Sequence, residues 1–304
     1  YPWILSKDFS PVKKSLFWFP SDGNPETGQF GLPRDCEKVL MKFSDPVAMS
    51  KFAQKQAKEV HGLNTYYIPH GVFCDRFYPM DYAEKEALKR KWGLQGKFVI
   101  GCVYRNQGRK MANLMFEAFA KAKDKMPNAV MLCHSDPSDP AAYFDSYYHV
   151  QKLGLLNRVV WTGMKYFKGF TYEQMREIYN LFDVFFLLTS GEGFGIPTIE
   201  AMSCEVPVVI TDFTTSKELI IENGQCGEVV NLAGGPYNSL TGSWNVERGM
   251  ADIIDGANML NKLYYDRDLC RIYGKTGRRK VQKYYDWNVV INQWDKTLRE
   301  MLND

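Results

Sequence analysis

Two glutamates separated by seven residues, Glu192 and Glu200, bracket the stretch Gly193-Phe194-Gly195-Ile196-Pro197-Thr198. An apolar run, Val184–Leu188, precedes it and has the length of a buried strand. The glycines permit a tight turn and close backbone approach, and Pro197 suits the first turn of a helix. The amides of Gly195, Ile196 and Thr198, with the helix dipole behind them, would form an anion site. Glu192 falls in the loop and Glu200 in the expected first helical turn, so both carboxylates converge on the helix opening. Paired acids repel a bare anion but accept hydrogen bonds from hydroxyls. The combination therefore points to a ligand that carries both phosphate and sugar. A generic strand–turn–helix with an acidic residue near its start is the simpler alternative.

A second candidate loop, Tyr104-Arg105-Asn106-Gln107-Gly108-Arg109-Lys110, follows the apolar run Phe98–Val103. Arg105 and Lys110 leave a strand end and precede a helix, where they can face a diphosphate. Arginine grips phosphate in two-pronged fashion and lysine acts as a point charge. Basic residues are also common in any exposed loop of this type. His134 reads as the end of a strand and His70 as part of a turn, with a hinge role expected. Ser190 and Thr198 can bind oxygens of a ligand or serve as caps.

The elements that must position these loops alternate regularly. Strand-like runs occur at Phe98–Val103, Ala129–Cys133, Val159–Trp161, Val184–Leu188 and Val206–Ile210. Helical stretches are expected at Ala112–Lys125, Ala141–Leu153, Tyr172–Leu181 and Pro197–Cys204. Continuous apolar strands alternating with amphipathic helices imply βαβ units and a parallel sheet covered on both faces. On such sheets ligands bind beyond the carboxyl ends of the strands. After about residue 246 the pattern reads as helix to the end. The front of the chain, with a strand-like Leu16–Phe19, a helix-like Asp35–Phe43 and a strand-like Tyr66–Ile68, reads as the tail of another α/β domain.

The chain has 304 residues, 45% hydrophobic and 14% aromatic, which excludes a disordered chain. A net charge of +3 is too balanced to indicate nucleic acid as a partner. The basic runs Lys89-Arg90-Lys91 and Arg278-Arg279-Lys280 are expected on solvated helix faces. Seven scattered cysteines without a C-x-x-C spacing suggest buried free thiols in a reducing compartment. No secretory leader is legible at Tyr1–Ser10, and no apolar run approaches the roughly 20 residues that span a bilayer. A cytoplasmic location, at most on the cytoplasmic face of a membrane, is the expectation, with membrane association left open.

The order E-G-F-G-I-P-x-x-E-A-M from Glu192 to Met202, followed by Pro207-Val208-Val209 and Ser216-Lys217-Glu218-Leu219-Ile220, makes the resemblance specific. With Arg105…Lys110 and Ile68-Pro69-His70-Gly71-Val72, the chain from about Phe43 onward resembles a family 4 retaining glycosyltransferase. The resemblance implies an α/β, GT-B-like architecture: a partial N-terminal acceptor-side domain over 1–72, a Rossmann-like domain binding the nucleotide sugar over 73–285, and a helix over 286–304 crossing back. It implies Glu192 beside the transferred sugar, Glu200 on the ribose hydroxyls, and Arg105 and Lys110 on the donor diphosphate. The amides of Gly193, Phe194, Gly195 and Ile196, together with Thr198, would contact sugar or phosphate oxygens. Met164, in Gly163-Met164-Lys165, would lie near the base.

Implied substrates are a UDP- or GDP-sugar and a glycan, lipid or other hydroxyl acceptor, with no cofactor and no metal. The chain departs from the family pattern in two places. The front of the N-terminal domain, with its Gly-rich loop, would precede Tyr1, so a fragment, a cleaved form and a short variant are all compatible. Where family members place a histidine, this chain has Phe19-Pro20-Ser21-Asp22-Gly23, and Asp22 is the candidate replacement contact to the sugar. The rivals are a metal-dependent GT-A transferase using Asp266-Arg267-Asp268, a dehydrogenase lacking the expected G-x-G-x-x-G, and a catalytically inactive nucleotide-sugar-binding or interaction module.

Overall fold

The computed structural model describes residues 7, 14–23, 41–165, 167–234, 239–241 and 247–303. The first unit is a small parallel sheet in which β1 (Leu16–Phe19) pairs with β2 (Asp45–Ala48) and β2 with β3 (Tyr66–Tyr67). Helix α1 (Lys51–His61) links β2 to β3. The Ser50 hydroxyl caps it by accepting from the Ala53 amide, and Gly62 ends it at φ 66°. Residues 35–40 of the expected Asp35–Phe43 helix lie outside the described residues, as does Cys36; residues 41 and 42 form a turn. The six described cysteines are free and buried.

Helix α2 (Tyr82–Lys91), opened by an Asp81/Glu84 capping box, leads into the larger unit. That unit runs β4 (Phe98–Val103), α3 (Ala112–Ala122), β5 (Ala129–His134), α4 (Ser146–Lys152), β6 (Val159–Trp161), α5 (Tyr172–Leu181), β7 (Val184–Leu187), α6 (Ile196–Ser203), β8 (Val208–Thr211), α7 (Ser216–Ile220) and β9 (Gly227–Val230). All neighbouring strands are parallel, in the order β6-β5-β4-β7-β8-β9. Val99, Ile100, Met131, Phe185 and Phe186 are fully buried at its centre, as expected for strands covered on both faces. Gly101 is required there: a Cβ would sit 2.0 Å from the Phe182 ring.

The remaining elements are a hairpin, β10 (Ser239–Thr241) with β11 (Glu247–Gly249), and three helices, α8 (Ile253–Tyr265), α9 (Arg267–Tyr284) and α10 (Trp287–Asn303). Helix α10 returns to the first unit, where Val290 and Met301 share one apolar cluster with Val47 and Ile68. Trp18 anchors this contact, donating its indole N–H to the Ile68 carbonyl at 2.9 Å and meeting Trp294 edge-on at 5.5 Å.

Several sequence expectations are corrected. The chain after residue 246 is not helical throughout. It begins with β11, and helix starts only at Ile253, where the Asp252 carboxylate accepts from the Ile254 and Asp255 amides. The expected helix Ala141–Leu153 is shorter, Ser146–Lys152, because Asp139 holds a turn through the Ala141 amide and Asp145 caps the helix proper. Lys280 is not on a solvated face. It is 3% exposed, and its Nζ donates to the Leu219 and Ile220 carbonyls at 3.0 and 3.1 Å, satisfying the end of α7. Lys89 likewise pairs with Asp183 at 2.8 Å.

Candidate active site

The strand order reverses between β4 and β7: the chain builds outward from β4 to β6, crosses back, and builds outward again from β7 to β9. On such a sheet the ligand crevice lies at the carboxyl ends of these two strands, beside the loops that leave them. After β4 the backbone makes a 3-10 turn, Gly108–Lys110, and Met111 takes a left-handed conformation at φ 43° to start α3. This turn drives Lys110 inward, to 8% exposure, and its Nζ meets Glu192 Oε1 at 2.7 Å.

Backbone bonds fasten the two loops. The Arg109 carbonyl accepts from the Ser190 amide and hydroxyl, both at 2.9 Å. The Arg109 guanidinium lies 3.2 Å from Glu192 and donates to the Gly191 carbonyl at 2.8 Å. Burial works to raise the Glu192 carboxyl, but the charges of Lys110 and Arg109 prevail and hold it below the usual carboxylate range. For Lys110, burial lowers the ammonium, Glu192 opposes, and the net direction is downward.

The first unit reaches into the same crevice. A Cβ on Gly191 would sit 2.1 Å from the Asp22 carbonyl oxygen, and one on Gly193 2.5 Å from Pro20 Cβ. Glycine is needed at both positions for this approach. The Asp22 carboxylate lies 3.2 Å from both Arg109 and Arg248.

Helix α6 opens at Gly195, whose φ is 104°. The Thr198 amide is not available to a ligand, because it donates to the Gly195 carbonyl at 3.0 Å. The amides of Gly193, Phe194, Gly195 and Ile196 meet no acceptor among the described residues. The Phe194 side chain is buried against His70 and Tyr285, so only its backbone faces the crevice. Glu200 lies beyond the first helical turn, contrary to expectation. It accepts from the Tyr179 hydroxyl at 2.6 Å, and burial pushes its carboxyl up to about 7.

Arg105 is placed differently from Lys110. It pairs with the buried Asp139 at 2.7 Å, whereas Arg109 occupies the position beside Glu192. Met164 is half-buried in the bend after β6, next to Lys165, which lies 3.7 Å from Asp136. His134 bonds the Thr162 hydroxyl at 2.9 Å, and burial lowers it to about 4, so it is a neutral strand-end residue. His70 stacks between the units on Trp18 and meets Trp287 edge-on. Asp266 caps α9 through the Leu269 amide and Asp268 pairs with Arg271 on the helix surface, so neither ends a strand.

Sequence reasoning missed Arg109 and Arg248. Arg109 had a signal, since it adjoins Lys110. Arg248 had none, because its partner Asp22 stands 226 positions earlier.

A parallel sheet with its crevice at this switch point defines the class: the architecture is GT-B-like. The family model described as "Glycosyl transferases group 1" matches residues 84–232, and that stretch is a glycosyltransferase group 1 domain. Assignment to family 4 is compatible with it. The chain is 26% identical over 274 residues to the mannosylfructose-phosphate synthase of Agrobacterium fabrum, covering 86% of this chain and 52% of that protein. It is 28% identical over 222 residues to the lipopolysaccharide core biosynthesis mannosyltransferase LpsB of Rhizobium meliloti, covering 72% and 58%. Among solved structures, Anabaena Alr3699/HepE in complex with UDP and glucose superposes with a TM-score of 0.73 at 18% identity, covering 93% of this chain and 71% of that one. The chain thus spans little more than half the length of these curated relatives.

Proposed function

We propose that the protein is a retaining glycosyltransferase that moves a sugar from a nucleoside-diphosphate sugar to an acceptor hydroxyl without a metal. The observation that carries this reading is the Lys110–Glu192 pair at the switch point, beside the unpaired amides of Gly193 to Ile196. A cation, a carboxylate and free N–H donors within one crevice match a ligand with phosphate at one end and hydroxyls at the other. The family match over 84–232 supports it independently.

As the bond between anomeric carbon and phosphate breaks, negative charge grows on the leaving diphosphate. Lys110, Arg105 and the helix opening at Pro197 stabilise that charge, as an oxyanion hole does. Glu192 faces the sugar, while Glu200 takes the ribose hydroxyls and Met164 lies near the base. The leaving phosphate assists deprotonation of an acceptor hydroxyl attacking from the same face, which gives retention. Positioning by the first unit, from Asp22, supplies much of the remainder, and closure of the units excludes water.

The relatives' names include transferases of mannose and of N-acetylglucosamine, and HepE has been solved with UDP-glucose. A UDP- or GDP-sugar and a glycan, lipid or related hydroxyl acceptor are therefore the proposed substrates. Among the described residues no helix is long and apolar enough to cross a membrane, and work in the cytoplasm is part of the proposal. A thermal-shift panel of UDP-, GDP- and ADP-sugars tests the reading, since selective binding stabilises by mass action. One donor is expected to stabilise the protein and to be turned over equally well with EDTA. Loss of turnover in EDTA refutes metal independence. Donor binding with neither transfer nor donor hydrolysis assigns the chain to the inactive modules instead.

A further inference from the structure

Arg248, on the hairpin between β9 and α8, reaches the crevice, and the described backbone around it is firmly seated. The Gly249 amide donates to the Ser190 carbonyl at 3.1 Å, on the Glu192 loop itself. At the hairpin base the Ala233 amide donates to the Met250 carbonyl and Leu232 bridges to Ala251. A Cβ at Gly249 would meet Leu232 at 2.7 Å and Phe213 at 2.8 Å, so β11 lies directly against the larger unit.

From this base Arg248 grips one residue of the first unit twice. Its Nη1 donates to the Asp22 carbonyl at 3.0 Å and its Nη2 to Asp22 Oδ1 at 3.2 Å. The other carboxylate oxygen, Oδ2, takes Arg109 Nε at 3.2 Å, and Arg109 continues to Glu192. Asp22 is therefore a bridge between two arginines, and the chain of charges ends at the carboxylate that faces the sugar. The Arg248 and Arg109 side chains are 17% and 27% exposed, so these are not freely solvated surface pairs. Among the described residues no hydrogen bond or ion pair joins Arg248 to Lys110 or to the amides at the α6 opening.

We propose that Arg248 is a positioning residue for glycosyl transfer: by its two-pronged hold on Asp22 it fixes the first unit's loop over Gly191 and orients Arg109 toward Glu192. This inference rests on the functional reading above and deepens it. It separates two ends of the site. Nucleotide affinity resides with Lys110, the amides and Glu200, whereas alignment of the sugar and acceptor depends on the Arg248–Asp22–Arg109 relay.

The test is a cycle of Arg248→Ala, Asp22→Asn and the double variant, with Arg248→Lys alongside. Each is measured for kcat, for calorimetric binding of UDP or GDP, and for deuterium uptake of the segment 16–23. Arg248→Ala is expected to lower kcat about tenfold while nucleoside-diphosphate affinity stays within about twofold. Arg248→Lys keeps the charge but not the second prong, and kcat stays low. The double variant is expected to be no worse than about the poorer single variant, because both substitutions break one relay. Deuterium uptake over 16–23 should rise in both single variants and no further in the double.

Additive losses, full rescue by lysine, or parallel losses of kcat and nucleotide affinity would overturn the proposal. If the wild-type protein binds none of the nucleotides and transfers no sugar, the functional reading fails instead. The exchange cycle then still decides whether Arg248 holds the Asp22 loop.

Discussion

Lys110 Nζ lies 2.7 Å from Glu192 Oε1, joining loops that are 82 positions apart in the chain and follow strands adjacent in the sheet. The pair pre-sets a cation and an anion at the one place where the sheet topology opens a crevice. Each is held near a group of opposite sign before any ligand arrives. A ligand entering there would meet oriented charges rather than mobile ones.

Replacing Lys110 by alanine removes one charge-assisted contact, worth about 1.5–3 kcal/mol. Donor affinity or turnover is expected to fall roughly 10- to 150-fold. Arg109 remains near Glu192, so folding should be less affected than catalysis. Steady-state kinetics beside a thermal melt checks this, and unchanged binding and turnover would refute the role of Lys110.

The carboxyl of Glu200, raised to about 7 by burial, makes a two-part pH prediction. Its pKa in the unfolded chain is about 4.3. A raised folded value means the contribution to stability is complete below that figure and is lost as pH rises through about 7. Glu200→Gln should thus leave stability nearly unchanged at low pH and raise it by on the order of 3–4 kcal/mol in the alkaline range. Nucleotide binding by the wild type should strengthen as the carboxylate forms, whereas the glutamine variant should show a flat pH profile. Melts and calorimetry across that range give both slopes.

Gly191→Ala places a methyl group against the backbone carbonyl of Asp22, which has no side-chain freedom to yield. Overpacking of this kind costs about 1–3 kcal/mol. Turnover is expected to fall by more than the loss of stability explains, because the loop bearing Asp22 must lift away. Urea denaturation compared with kcat decides it; a variant that melts early yet turns over normally would contradict the close approach.

Lys280→Ala removes the ammonium that both buried carbonyls share; Ile220 keeps the Cys226 amide at 3.1 Å, whereas Leu219 loses its strong donor. A loss of about 2–4 kcal/mol is expected. Lys280→Met, which keeps most of the stem, should lose less. Chemical denaturation of both variants tests the assignment.

Much of the larger unit was legible because its strands are buried on both faces. Runs such as Phe98–Val103 and Val159–Trp161 are continuously apolar and stand out against amphipathic helices. Strand β9 is not legible: Gly227-Glu228-Val229-Val230 is short, and Glu228 finds its partners, Lys262 and Tyr273, only on helices that follow. The glycine loop and its glutamates were legible from residue type and spacing. Which neighbouring cation faces Glu192 was not. A 3-10 turn carries Arg109 and Lys110 inward, while Arg105 pairs with Asp139, 34 positions away. The burial of Lys280 is not legible for the same reason, since carbonyls at the end of a distant helix leave no mark in a local pattern. Glu200 moved out of the first turn because α6 begins at Ile196.

The packing of α10 on the first sheet has a consequence for biosynthesis. Val47 and Ile68 emerge from the ribosome before the larger unit, yet the apolar partners that complete their cluster, Val290 and Met301, are made after it. These strands must wait with uncovered apolar surface while the larger unit is translated and folds. Vectorial synthesis therefore completes the second unit before the first.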